Sequence, residues 1–216
     1  MKNLIAGLAV CLMVWACNDR TESASSEERT TDTGSAMAVG EDTAMNRNSS
    51  AQLKESIDKM MSQMKSMTPT GDPDNDFAMM MMVHHQGAVD MAQVQINNGT
   101  DTSLVAIARH IDSTSKKQIA ELDSFLVKNK PDSNAAKKKS GFATQAMQMM
   151  DTSGSRSITP SGNVDNDFAA MMISHHKEGI QMAKLYLTSA KANQTKKIAN
   201  EIIRQQPKEI KRLETL

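Results

Sequence analysis

Apolar residues recur at helical spacing along most of the chain after residue 50. Phe77, Met81, His84, Ala88 and Met91 follow one another at intervals of three or four residues, which predicts one face of an amphipathic helix. A second long helix is predicted at residues 102–128, and short Met-bearing helices at 53–67 and about 142–150. The sequence lacks the alternating β-branched runs that are typical of strands. The pattern predicts an all-α protein.

A long internal repeat follows from comparing the chain with itself. Residues 74–93, DNDFAMMMMVHHQGAVDMAQ, match residues 165–184, DNDFAAMMISHHKEGIQMAK, at an offset of 91. Two long helices per unit, present twice, predict a four-helix bundle built from two tandem helical hairpins, with the short Met-rich helices packed on it. The first repeat is assigned to residues 51–130 and the second to 140–216. We expect both to pack as one domain.

Helix ends are predicted from loops and breakers. The Gly/Pro loops TPTGDPD and SITPSGNVD precede the two repeated helices, and their Asp-Asn-Asp triplets are candidate N-caps. The first repeated helix is expected to end near Asn97. In the second repeat the break is expected around residues 190–194. Pro207 is expected to kink or interrupt the last helix.

The chain starts with a predicted export signal. Lys2 precedes an apolar stretch at residues 4–16 that is too short to cross a bilayer as a helix, so residues 1–16 are assigned to a signal peptide. The stretch ends in VWAC, which resembles the bacterial lipoprotein signal. This predicts lipidation of Cys17 and a lipid anchor in a bacterial membrane of the cell envelope, facing the periplasm or the exterior. The alternative is an ordinary signal cleaved after Ala16, with an unmodified Cys17.

Residues 17–50 are rich in Ser, Thr and acids and poor in large apolar side chains. Such a segment buries too little surface to offset its ordering entropy, so we predict a disordered tether. Cys11 falls within the predicted signal. No intrachain disulfide and no thiolate ligand are therefore expected in the folded region.

The charge balance and the methionine content limit the classes of function that the sequence supports. Lys plus Arg and Asp plus Glu both number 25, so there is no basic field for nucleic acid, and no nucleic-acid partner is predicted. Methionine is unusually frequent, at 19 residues. Thioether and imidazole together suit Cu(I), whereas hard ions prefer carboxylate and water.

The His-His pairs and their neighbouring methionines form the candidate metal site. Methionines lie three, four or seven residues from the histidines, on the same helical surface. Adjacent helical residues diverge by about 100°, so each histidine is expected to join methionines one turn away rather than its neighbour in the pair. The predicted ligand is copper, with Cu(I) favoured, and Ag(I) for the same reason. The candidate ligands are Met80, Met81, His84, His85 and Met91 in the first repeat, and Met171, Met172, His175, His176 and Met182 in the second.

Two other classes of function remain open at this point. Methionine is an adaptable core filler, and the alternative to metal binding is a non-catalytic envelope module that binds a protein partner through the Met surface. A di-iron enzyme uses the same architecture but needs Glu-x-x-His, and the sequence has only the reversed pair His175 and Glu178. Motifs for a Ser or Cys nucleophile and a phosphate loop are also lacking. We predict a binding protein and no catalytic residues.

The repeated motif resembles the family called domain of unknown function 305. The motif is DxxFxxxMxxHHxxxxxMA, where x is any residue. It occurs from Asp74 to Ala92 and again from Asp165 to Ala183. The resemblance implies two tandem copies of the motif in a ferritin-like helical bundle that is exported. It also implies copper binding in the cell envelope, since some members are regarded as copper-binding proteins. Copper sequestration, tolerance or handling follows as the expected role, with a copper-handling protein or a second copy of the chain as candidate partners.

His110 departs from the family pattern, which tends to have Glu at this place, as Glu201 does in the second repeat. Three interpretations are open. His110 is an extra ligand of the first repeat, a hydrogen-bonding partner of a ligand, or a solvated surface residue. The last two together are favoured.

Overall fold

The computed structural model describes residues 34–131, 141–152 and 154–216. Six α-helices follow one another in this part of the chain: α1 Gly34–Ser66, α2 Pro73–Asn98, α3 Thr102–Lys128, α4 Gly141–Asp151, α5 Val164–Leu187 and α6 Asn193–Leu213. A single 3-10 turn at Ser155–Ser157 lies between α4 and α5. The described residues contain no strand, and the all-α prediction is confirmed. The likeness to ferritin-like bundles stays a prediction.

The two long hairpins occupy the predicted places. The bounds of α3 agree with the sequence, and the break between α5 and α6 lies only slightly earlier than expected. α2 packs along α3, α5 packs along α6, and the hairpins meet mainly through α2 and α5. α1 and α4 cover this junction from outside.

The N-caps differ from the prediction. Asp72, just before the first Asp-Asn-Asp triplet, accepts hydrogen bonds from the backbone N–H groups of Asp74 and Asn75. Asn163 does the same for Asn166 in the second repeat. Pro73 occupies the first turn of α2, as proline prefers. In both repeats the cap lies two residues before the first Asp of the triplet. The triplets are therefore free for another role.

That role is to join the hairpins. Asp165, in the first turn of α5, accepts from Gln95 of α2 at 2.5 Å and from the backbone N–H groups of Thr100 and Asp101. At the offset of 91, Asp74 of α2 accepts from the hydroxyl of Tyr186 and from the backbone N–H groups after α5. Each helix start thus holds the end of the other helix. α2 and α5 run antiparallel, related by a pseudo-twofold axis.

The predicted disordered tether is corrected for residues 34–50, which are helical as the first part of α1. Ser49 and Ser50 are buried, and the Asn46 side chain accepts a hydrogen bond from the backbone N–H of Val164 at 2.7 Å. Composition did not reveal this, because the small polar residues pack on α5 rather than forming a core of their own. Residues 17–33 of the tether, the signal at 1–16 and Cys17 lie outside the described residues.

Pro207 does not interrupt the last helix, which runs from Asn193 to Leu213. Proline removes one backbone N–H and leaves the carbonyl four residues earlier without its helical partner. Pro207 is exposed, so water can satisfy that carbonyl. Among the described residues, no helix has the length and apolar character needed to cross a membrane.

Candidate metal centre

All ten predicted ligands in the two repeats lie in the protein interior. None is more than 3% exposed, and the methionines belong to one continuous apolar core. The sequence predicted a separate group of ligands in each repeat. The structure instead brings the histidines of the two groups together where α2 crosses α5, while the six methionines lie in the surrounding core.

The central contact is between equivalent histidines of the two repeats. The rings of His84 and His175 stack with their centroids 3.7 Å apart and their planes 29° apart. His175 donates from Nε2 to the backbone carbonyl of His84 at 2.9 Å. This bond fixes the neutral tautomer of His175 with its lone pair on Nδ1.

Both ring nitrogens of His84, and Nδ1 of His175 and of His176, are buried without hydrogen-bond partners in the described part of the chain. His175 Nε2 donates to the His84 carbonyl, His176 Nε2 lies 2.9 Å from Glu209, and the His85 ring interacts with Gln118. Buried polar atoms in folded proteins are normally hydrogen-bonded, and exceptions commonly mark a place for water or an ion. The arrangement leaves lone pairs in the core that a cation can use.

The outer histidines have different partners in the two repeats. His176 Nε2 lies 2.9 Å from a carboxylate oxygen of Glu209 on α6. At the offset of 91, His85 has Gln118 of α3 beside it instead, a neutral side chain. The second repeat therefore holds a negative charge at a place where the first holds none.

His110 reaches the same carboxylate from outside. Its side chain is 53% exposed, and its Nε2 lies 3.4 Å from the other carboxylate oxygen of Glu209. Of the three interpretations, the geometry fits a surface residue that contacts the partner of His176.

Burial keeps the inner histidines neutral. It lowers the pKa of His84 well below the usual value, with the nearby His175 adding to the effect. Burial also lowers the pKa of His85 to about 4 and that of His175 to about 3. Burial opposes ionisation of Glu209, but its contact with His176 and the nearby His110 and Arg212 together outweigh this and lower its pKa. Near neutral pH the centre therefore offers the neutral imidazoles of His84, His85 and His175, and Glu209 is a carboxylate.

Two glycines allow the close approach of these groups. A Cβ atom on Gly179 would lie 3.1 Å from Cε1 of His84 and 2.9 Å from Oε1 of Gln206. On α2, a Cβ on Gly87 would lie 2.8 Å from the sulfur of Met60. The side chain of Met60, from α1, thus packs against α2 at Gly87, about one turn after His84. The sequence did not predict this contact.

Glu178 is the second charged residue that sequence reasoning did not place in the site. It is buried, accepts a hydrogen bond from the backbone N–H of Ser155, and has its other oxygen 4.0 Å from His84 Nε2. Its equivalent in the first repeat is Gly87, where Met60 fills the space. Comparison of the two repeats at charged positions is the signal that would have found both Glu178 and Glu209.

The donor set is unsuited to a site made only of hard or thiolate ligands. Among the residues that the structure describes, no three His, Cys, Asp or Glu side chains converge in a way that could hold an ion. The methionines of the surrounding core are the other soft donors available to a coordination sphere built on these histidines. The residues fit a soft, monovalent cation such as Cu(I) or Ag(I).

A family model described as "Domain of unknown function (DUF305)" matches residues 74–216 in one stretch that spans both His-His repeats. The chain belongs to this family. The resemblance inferred from the repeated Asp, Phe, Met and His-His positions is confirmed. DUF305 carries no functional description in its own name, and no curated protein matches the sequence.

Solved structures similar to this DUF305 chain carry the name CopM. One is "CopM in the Cu(I)-bound form", 26% identical, covering 66% of this chain and 93% of that one, with a TM-score of 0.49. Another is "CopM in the Ag-bound form (by soaking)", 25% identical with the same coverage and a TM-score of 0.48.

Proposed function

We propose that this DUF305 protein binds Cu(I), and Ag(I) in the same way, through the methionines and histidines at the contact of α2 and α5. The observation that carries the proposal is the set of buried imidazole nitrogens without hydrogen-bond partners in a methionine-rich core. His175 Nδ1 is the clearest donor atom, because its tautomer is fixed by the bond from Nε2.

The charge of the centre supports a monovalent ion. A buried cation is costly unless negative charge or strong donors surround it. Imidazole and thioether donors are neutral, and Glu178 and Glu209 lie beside His84 and His176. The neutral, soft donors favour a monovalent ion such as Cu(I), and a nearby carboxylate balances its single charge.

A purely structural role for the histidines is the main competing explanation. It predicts that ring nitrogens are satisfied by neighbouring groups, as the great majority of buried polar atoms are. The described partners leave both ring nitrogens of His84, and Nδ1 of His175 and of His176, unsatisfied. A metal role explains why four imidazoles lie together at a helix crossing that apolar side chains could fill.

The proposed role is copper sequestration, tolerance or handling in the cell envelope, without catalysis. Export and a lipid anchor at Cys17 are proposed from the apolar leader that ends in VWAC. If Cys17 is acylated, the protein fractionates with membranes and Cys17→Ser releases it or leaves it unprocessed. Intact-mass measurement checks this, and an unmodified chain that begins elsewhere would rule out the anchor.

The metal proposal is tested by anaerobic titration of the purified protein with Cu(I) against a chromophoric competitor. We expect Cu(I) and Ag(I) to bind far more tightly than Mg²⁺, Ca²⁺ or Fe²⁺. Replacing His84 and His85 by Ala should remove part of the Cu(I) bound at this centre. Adding His175→Ala and His176→Ala should remove most of the remaining Cu(I). The matched control is His110→Ala, which removes a half-exposed histidine and should leave the stoichiometry unchanged. Full retention of tightly bound Cu(I) by the four-His variant would overturn the assignment.

A further inference from the structure

A second group of methionines surrounds a small cavity away from the stacked histidines. The cavity lies where α1, α2 and α4 meet, has a volume of about 20 Å³, and is lined by Met64, Met67, Met79, Met80 and Met147 together with Asp76. A volume of roughly 10–15 Å³ suffices for one water-sized occupant. The cavity therefore has room for a single ion.

The exposure of the methionines differs from that of a packed core. Met64 and Met80 are buried, whereas Met67, Met79 and Met147 are half-buried. Solvent can therefore reach thioether groups at this place, while the stacked His84 and His175 are sealed in the interior. Met80 belongs to both places, since it lines the cavity and lies one helical turn before His84.

Asp76 supplies an unsatisfied charge at the cavity. Its side chain is 1% exposed, and Oδ1 accepts hydrogen bonds from the backbone N–H and the hydroxyl of Thr70. Oδ2 is buried without a hydrogen-bond partner. Its repeat equivalent, Asp167, uses both oxygens, which accept from the backbone N–H groups of Ser161 and Gly162. Only the first repeat thus leaves a carboxylate oxygen beside methionines.

We infer that this Met-rich cavity is a separate, solvent-accessible binding site for a soft monovalent cation. Thioether sulfurs provide the coordinating atoms, and the Asp76 carboxylate balances the charge of one Cu(I) or Ag(I) ion. The inference rests on the proposed function for the class of ion, but apart from Met80 its donors are different side chains. Because it is open to solvent, this site exchanges ions with the solution faster than the buried histidine centre does.

The test is titration of the protein, labelled with ¹³C at the methionine methyl groups, with Ag(I) followed by NMR. We expect the methyl signals of Met67, Met79 and Met147 to shift as Ag(I) is added, and to report faster exchange with free Ag(I) than the histidine signals do. Replacing these three residues by Leu, which keeps their size, should lower the stoichiometry by one ion. The matched control replaces Met45 and Met149, which do not line the cavity, and should retain that ion.

Charge is tested separately from packing. Asp76→Asn should weaken Ag(I) binding at the cavity at least about tenfold, because a buried cation loses its nearby opposite charge. Asp167→Asn should leave cavity affinity unchanged even if it lowers the melting temperature. Unmoved methyl signals for Met67, Met79 and Met147 under saturating Ag(I), which indicate a water-filled cavity, would overturn the inference.

The four-His variant distinguishes this inference from the proposed function. If the cavity is a separate site, its methyl signals still respond to Ag(I) in that variant. A response of the cavity with no response of histidine nitrogens in the unmodified protein would support the cavity site and contradict the histidine centre. A cavity response that disappears with the four histidines would show that the cavity is not a separate site.

Discussion

At the scale of single residues, the notable feature is neutral imidazole held away from water. Burial lowers the pKa of His85 to about 4 and that of His175 to about 3, and it lowers the pKa of His84 well below the usual range. The unfolded chain binds protons at these residues below about pH 6.5, whereas the folded protein does not. The metal-free fold therefore loses stability as the pH falls.

The metal-free protein is predicted to lose stability between pH 6.5 and pH 5. For each histidine that is protonated only when unfolded, the slope approaches about 1.4 kcal/mol per pH unit. Urea denaturation at several pH values measures this slope. His175→Asn should reduce it by up to one proton, and His110→Asn serves as the control for loss of a histidine. A free energy of unfolding that is constant over this range would mean that the buried rings take up protons in the folded state.

At the scale of helices, α2 and α5 are tied at both ends by the acidic residues of their first turns. Asp165 receives hydrogen bonds from Gln95, Thr100 and Asp101, and Asp74 receives the equivalent set from Tyr186 and the segment after α5. These bonds set the antiparallel alignment that brings His84 onto His175. The position of the site therefore depends on bonds near the ends of the two helices.

Asp165→Asn should destabilise the protein by roughly 1–3 kcal/mol at pH 7, because buried donors lose a charged acceptor. Burial opposes ionisation of Asp165, but its hydrogen bonds with Thr100 and Gln95 lower its pKa below 3.8. That contribution is present above this pH and is lost as the pH falls through the lower, folded pKa, so the difference from the unmodified protein should shrink in acid. Chemical denaturation at pH 7 and pH 3 checks this.

Asp58→Asn is the matched control for that substitution. Asp58 pairs with Lys54 on the surface of α1, where such pairs contribute less than about 0.5 kcal/mol. An Asp165 variant as stable as the Asp58 variant would contradict the role assigned to the helix starts.

At the scale of the molecule, two similar hairpins form one centre whose halves are chemically unequal. The inner rings, His84 and His175, are related by the pseudo-twofold axis. The residues around them differ between the repeats. At the positions of Glu209 and Glu178 in the second repeat, the first repeat has Gln118 and Gly87. The acidic residues beside the imidazoles thus come from the second repeat, while Met60 and all the cavity methionines except Met147 come from the first.

Much of this arrangement could be predicted from the sequence. The offset of 91 gave both hairpins, and helical spacing placed His84 and His175 on the buried face. The spacing of apolar residues does not predict contacts between residues that are far apart in the sequence. The N-terminal half of α1 is held by Val164, and Asp165 binds the end of another helix, so neither follows from local propensity.

The central claim is that the buried histidines coordinate the metal. It is tested most directly by the ¹⁵N signals of the histidine rings, recorded before and after addition of Ag(I). His110 is an internal control, because it is half-exposed and lies outside the core. We predict that ring nitrogens of the inner pair, His84 and His175, shift as metal ligands while those of His110 do not. Saturation with tightly bound Ag(I) without a change in any buried ring nitrogen would contradict the assignment of these histidines as ligands.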